Sequence, residues 1–225
     1  MDGESPPAST EGREPFAGGP RDSRIEHYRL DGGTIPTDEL THPNADLLDD
    51  SKLREAEANP IRLEEALRPG VPPDHPAVSG VVPNNFDPHG GLGETGWNRE
   101  YWPSGIHDEY GNRKLAWPDP QTQPEGFISP EARRPTVLES GMVIDRFGPG
   151  FGRFASPPDT PYPDRGLPPE NIEAGYHQYR VMRPIPVWEG DLAPAMGQPG
   201  GGVQYYLPEA VIDLVNAGYL EEVDL

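Results

Sequence analysis

The chain has 225 residues, 33% of them hydrophobic, with 31 Pro, 27 Gly and a formal charge of −20. Pro and Gly at that level border on low complexity, so a domain smaller than the chain, with an irregular extension, is expected. The acidity disfavours duplex nucleic acid and anionic membranes as partners, and the lack of cysteine excludes disulfides, thiolate catalysis and Cys-type zinc sites.

Half of the negative charge falls within residues 1–90 and half beyond, so there is no acidic tail. A small anionic ligand stays compatible with this field, because a few local arginines overrule distant charge inside a pocket.

The opening "MDGESPPASTEGREPFAGGP" lacks the basic and apolar regions of a signal peptide, and no stretch reaches membrane-spanning length. Export would therefore need a specialised route or a larger parent chain. Residues 1–25 read as disordered. "RIEHYRLDGGTIP" (24–36) offers one short strand before the Asp31-Gly32-Gly33 turn. "LTHPNADLLDDSKLREAEANPIRLEEALRPG" holds two weak helical patches. Ser51 caps the first, Pro60 interrupts, and Pro69-Gly70 ends the second. Residues 1–90 are expected to form a Pro-rich, acidic, largely irregular arm, with the folded domain at 97–225.

Composition changes near Trp97. Trp97, Tyr101, Trp102, Tyr110 and Trp117 lie close together, as in a packed core or a site wall. "GMVIDRF" (141–147), "YHQYRVM" (176–182), "IPVWEG" (185–190) and "VQYYL" (203–207) read as strands. "PEAVIDLVNAGYL" (208–220) reads as a helix with Pro208 in its first turn and a stop at Asn216-Ala217-Gly218. Strands spaced by loops, with few helices, predict a mostly antiparallel α+β domain.

Several chemistries are unsupported. There is no GxSxG elbow and no Walker lysine after a glycine run, and the Gly200 triplet is not followed three residues later by the glycine of a dinucleotide-fold fingerprint. The six histidines show no HxxxH or HExxH spacing, so no metal site is expected. Arg146, Arg153, Arg165, Arg180 and Arg183, by contrast, concentrate guanidinium near the end of an acidic chain, and arginine suits bidentate phosphate binding. "RFGPGFGRF" (146–154) is either a phosphate-gripping, base-stacking loop or a surface turn with core phenylalanines. Taken alone, His177 reads as a structural histidine of its strand and Gln204 as a polar residue at a ladder edge.

DRFG, SPPDTPYPDRGLPP, YHQY, APAMGQPGGGVQY and the closing helix, in that order, resemble the tuberculosis necrotizing toxin (TNT) domain family. The likeness runs from about 97 to 223 and is strongest over 138–223. It implies an NAD(P)+ glycohydrolase like those at the C-termini of mycobacterial and other polymorphic toxins. NAD+ or NADP+ would be the substrate, with no cofactor or metal, and a cognate immunity protein the partner. By the same resemblance Gln204, His177 and Arg146 are catalytic. Phe151, Arg153, Phe154, Arg165, Gly200, Gly201, Gly202 and Tyr205 bind substrate, with Phe151 and Phe154 competing as the stacking ring. The three glycines would let the backbone pass close to the dinucleotide and present Gln204 to its ribose. Asp145 and Glu189 rank lower as carboxylates. An ADP-ribosyltransferase and an inactive TNT-like binding fold are the alternatives.

Overall fold

The apolar runs of the second half of the chain form strands that all pair antiparallel. The computed structural model describes residues 42–105, 107 and 114–225, so the strand expected at 24–36 and Tyr110 lie outside the described residues. The strands are β1 (Arg134–Leu138), β2 (Val143–Phe147), β3 (Phe154–Ala155), β4 (Tyr176–Val181), β5 (Ile185–Asp191), β6 (Val203–Tyr206) and β7 (Leu220–Glu222). One sheet has the order β1-β5-β6-β3 and the other β2-β4-β7. Reciprocal backbone hydrogen bonds between Asp145 and Ser156, both 2.9 Å, join β2 to the residue after β3 and so tie the sheets together. The described chain is α+β and mostly antiparallel.

Five short α-helices accompany the sheets among the described residues: α1 (Asp50–Glu57), α2 (Arg62–Ala66), α3 (Gly93–Tyr101), α4 (Glu170–Glu173) and α5 (Val211–Asn216). The cap of α1 is Asp49 rather than Ser51: its Oδ1 accepts from the Ser51 and Lys52 amides at 3.2 and 3.3 Å. Helix α5 starts three residues later than the sequence pattern suggests. The Val211 and Ile212 amides donate instead to the carbonyls of Gly152 and Gly150, and Arg153 draws the Leu207 and Pro208 carbonyls to its guanidinium. At the other end Gly218 turns left-handed (φ 74°), so the chain leaves the helix and Leu220 pairs with Val181 as β7.

The main core lies beneath α1 and α5. Leu53 and Ala56 of α1 share it with Ile144, Val181, Val187, Leu214 and Tyr219. Ala66 of α2 packs with Phe151, Ala210 and Ile212, while Val78 and Val81 pack with Phe147, Tyr162 and Tyr176. Residues between 42 and 90 thus contribute apolar side chains to the same body as the strands.

A polar tie between these parts is buried. Arg62 of α2 makes a two-pronged contact with Asp213 of α5, through Nε to Oδ1 and Nη2 to Oδ2 (2.6 Å for the latter). Further along, Gly70 lies so close to Tyr176 that a Cβ there would fall 2.4 Å from its carbonyl oxygen, and Val71 pairs with Tyr176 in a short bridge.

Candidate active site

Where the two sheets meet, a cleft of about 780 Å³ opens between β2, β3 and β6. Arg146, Phe154, Arg165 and Gln204 line it, so four of the residues singled out in the sequence converge there. Apolar side chains, Leu167, Leu192, Ala193 and Ala195, supply much of the remaining wall.

Arg146 is 7% exposed and folds back over the loop that follows β2. Its Nε donates to the Gly148 carbonyl and its Nη1 to the Phe154 carbonyl, each at 3.3 Å. Gly152 makes this possible: a Cβ at that position would stand 2.3 Å from Nη2 and 2.4 Å from Nη1. Phe154 leans on Tyr206, with ring centroids 5.4 Å apart and planes tilted by 39°.

Arg165 sits in a different electrostatic state. It meets Asp145 bidentately at 2.7 and 2.8 Å, and it also donates to the Thr160 carbonyl. Asp145 accepts in addition from the Tyr176 hydroxyl at 2.8 Å. Burial pushes the Asp145 carboxyl above its ordinary range, while Arg165 and Tyr176 pull the other way. Asp145 therefore matches the charge of Arg165 and orients it, rather than the adjacent Arg146.

Gln204 is 6% exposed. Alternation along β6 turns it to the cleft and turns Tyr205 into the core. Its Nε2 donates to the Glu125 carbonyl at 2.8 Å, which fixes the carboxamide plane and leaves the acceptor oxygen as the atom to offer a bound molecule.

Other residues from the sequence reading lie elsewhere. Phe151 is 2% exposed, packed with Ala66 and Ile212 and covered by the Arg62 guanidinium 5.9 Å from its ring, so of Phe151 and Phe154 only Phe154 lines the cleft. Arg153 binds the Leu207 and Pro208 carbonyls and lies over the Tyr206 ring at 4.7 Å.

His177 stands opposite Arg146 in the ladder but points to a second, smaller cleft of about 430 Å³ with Glu65, Asn216 and Glu222. Its Nδ1 meets Glu222 Oε1 at 2.6 Å, and that bond holds the Glu222 carboxyl below its ordinary range.

The glycine run passes close to the chain's own backbone. A Cβ at Gly200 would fall 2.4 Å from the Ala193 carbonyl oxygen, and one at Gly202 would fall 2.7 Å from that of Asp164, so these residues approach the chain's own backbone. Gly201 has nothing within 4 Å and is exposed. The preceding loop is clamped from outside: Trp97 Nε1 donates to the Met196 carbonyl at 2.9 Å, and Gln198 Nε2 donates to that of Asp87 at 3.0 Å.

Other cleft residues were not singled out as site candidates. Asn171 and Glu125 carry no local signal of a site, and Trp117 stood out only as one of a dense group of aromatics. Among the described residues no group of three or more His, Asp or Glu could hold a metal ion, and no helix is long and apolar enough to cross a membrane.

The segment from the end of β1 through β7, residues 137–223, matches the family model for TNT, tuberculosis necrotizing toxin. Arg146, Phe154, Arg165 and Gln204 all lie inside it.

Over 95 residues the chain is 38% identical to the conidial surface nicotinamide adenine dinucleotide glycohydrolase nadA of Aspergillus fumigatus, covering 39% of this chain and 41% of that protein. The match thus spans about two fifths of the relative. Among solved structures, tuberculosis necrotizing toxin complexed with its immunity factor IFT superimposes with a TM-score of 0.47 at 17% identity, over 86% of this chain and 98% of that one. Rhs1-CT in complex with its cognate immunity protein RhsI1 gives 0.30 at 19% identity, over 41% and 78%.

Proposed function

We propose that the chain hydrolyses the nicotinamide–ribose bond of NAD+, and of NADP+, to nicotinamide and the ADP-ribose product. The observation that carries this reading is the convergence of Arg146, Phe154 and Gln204 on one cleft within the TNT segment. The named activity of the A. fumigatus relative supports it.

The chemistry asks little of the protein at the leaving group. Nicotinamide departs neutral and needs no proton, and the transition state is oxocarbenium-like. Catalysis then consists of holding the dinucleotide, offering negative potential to the anomeric carbon and admitting one water. Arg146 holds pyrophosphate oxygens with a guanidinium pre-set by the Gly148 and Phe154 carbonyls. Gln204 turns its carboxamide oxygen to the ribose or the water, with Nε2 fixed on Glu125. Phe154 gives a ring face to the nicotinamide. Arg165, matched by Asp145, supports the wall beside the phosphate site.

His177 acts from behind, across the ladder from Arg146, and its partnership with Glu222 ties β4 to β7. The catalytic unit comprises the TNT segment together with the residues from 42 onward that pack on it. An activity that removes NAD+ harms the cell that makes it, so the same reading includes delivery outward and a partner protein that closes the cleft.

The test is turnover of etheno-NAD+ by the purified chain with and without Gln204→Ala. Fluorescence should rise for the parent and stay flat for the folded variant. A folded parent inert toward both NAD+ and NADP+ would overturn the proposal.

A further inference from the structure

Part of the cleft wall comes from outside the matched segment. Trp117, Pro118, Glu125 and Gly126 precede residue 137 and still line it. Glu125 is the unusual member. It is 8% exposed, and its backbone is left-handed (φ 52°, ψ 24°), a conformation that a residue with a side chain adopts only where its surroundings impose it. The imposing contacts are visible. Gly126 follows at φ 83°, its carbonyl accepts from the Ala193 amide at 2.8 Å, and the Phe127 amide closes the turn on the Pro124 carbonyl at 3.0 Å. Strain held this firmly at a cleft wall is a pointer to function.

The turn also places Glu125 beside the central amide. Its carbonyl holds Gln204 Nε2 at 2.8 Å, and both residues line the cleft. Charge decides which end of a dinucleotide belongs there. A carboxylate repels pyrophosphate and attracts the cationic nicotinamide–ribose end, while the Arg146 guanidinium does the reverse. Glu125 therefore favours the nicotinamide–ribose end of the ligand and Arg146 its pyrophosphate.

We propose that Glu125 is a catalytic carboxylate of this cleft, contributed by the chain preceding the TNT segment. The proposal rests on the NAD+ reading above. The bond from the anomeric carbon to nicotinamide breaks, and its electron pair neutralises the pyridinium nitrogen. A water oxygen bonds to the anomeric carbon, the Glu125 carboxylate takes the proton that water loses, and this proton passes to solvent. The sum is NAD+ and water giving ADP-ribose, nicotinamide and one proton.

The experiment compares the full chain with Glu125→Gln and Glu125→Gly. The first keeps the backbone carbonyl that holds Gln204. The second suits the left-handed backbone and removes the carboxylate altogether. Both should lower kcat for etheno-NAD+ by at least about 100-fold, the ordinary scale for losing a general base, with KM changed far less. The parent should lose turnover in acid as a carboxylate protonates, and the residual activity of the variants should lack that limb. Glu125→Gly should melt at or above the parent temperature, so it decides the matter if Glu125→Gln fails to fold. A folded variant turning over at the parent rate, or retaining the acid limb, overturns the role of Glu125 and leaves the glycohydrolase reading intact. A parent inert toward NAD+ and NADP+ overturns both.

Discussion

Gly152→Ala inserts a methyl group into space that the Arg146 guanidinium occupies. The new Cβ would lie 2.3 Å from Nη2, 2.4 Å from Nη1 and 2.7 Å from Cζ. Ordinary contact needs about 3.5 Å, so the guanidinium must retreat by roughly 1 Å. A misplacement of that size in a positioning group costs about 100-fold in rate, equivalent to about 2.7 kcal/mol of transition-state stabilisation.

The fold should be spared. Gly152 is not among the left-handed glycines, the crowded atoms end a flexible side chain, and the Gly152 carbonyl keeps its bond from the Val211 amide. Replacing glycine at a compatible position even stabilises by about 0.4–1 kcal/mol. The assay is kcat/KM for etheno-NAD+ beside a thermal melt, run on Gly152→Ala, Arg146→Ala and the double variant. The single losses should be similar and the double no worse than Arg146→Ala alone, because both act through one guanidinium. Full activity in a folded Gly152→Ala would refute the placement of Arg146 as the phosphate clamp.

The other predictions concern stability and the division of roles. Asp213→Ala leaves the Arg62 guanidinium without its carboxylate at 7% and 2% side-chain exposure of the pair, and should cost about 3–5 kcal/mol in denaturant midpoint experiments. A cost below about 1 kcal/mol would mean that α2 does not pack on α5. Phe151→Ala should destabilise by about 3–5 kcal/mol and leave the catalytic constants of the remaining folded protein near parent values. Phe154→Ala should do the opposite, raising KM or lowering kcat with a small change in melting; the reverse pattern would exchange the two rings.

Glu222 titrates below its ordinary range because of its bond to His177. A depressed folded value means stability that is complete above the unfolded value, about 4.3, and is lost as pH falls through the folded one. Glu222→Gln should therefore be less stable than the parent at neutral pH and converge with it in strong acid, as followed by melting between pH 7 and pH 2. Parallel curves would contradict the pairing.

The strands β2, β4, β5 and β6 were legible because each is an apolar run bounded by turn residues. β3 is only two residues long, and β7, "LEE", is mostly exposed and acidic; both exist through pairing to β6 and β4, which a local pattern does not record. The start of α5 moved for a similar reason. Carbonyls from Gly150 and Gly152, some sixty residues upstream, take its first amides.

In the site, Arg146, Phe154, Arg165 and Gln204 were legible through the motifs that carry them. The close approaches of Gly200 and Gly202 to Ala193 and Asp164, the inward turn of Phe151 and the facing of His177 toward Glu222 depend on tertiary contacts. Glu125 illustrates the limit most clearly: "PEGF" signals a turn through its glycine, and only the fold brings that turn to Gln204.

The most direct test of the account is chromatographic analysis of NAD+ incubated with the purified 225-residue chain. The account predicts free nicotinamide and free ADP-ribose in equal amounts, formed by the parent and not by folded Gln204→Ala. Intact NAD+ after prolonged incubation, or nicotinamide released with the ADP-ribose attached to protein, would contradict it.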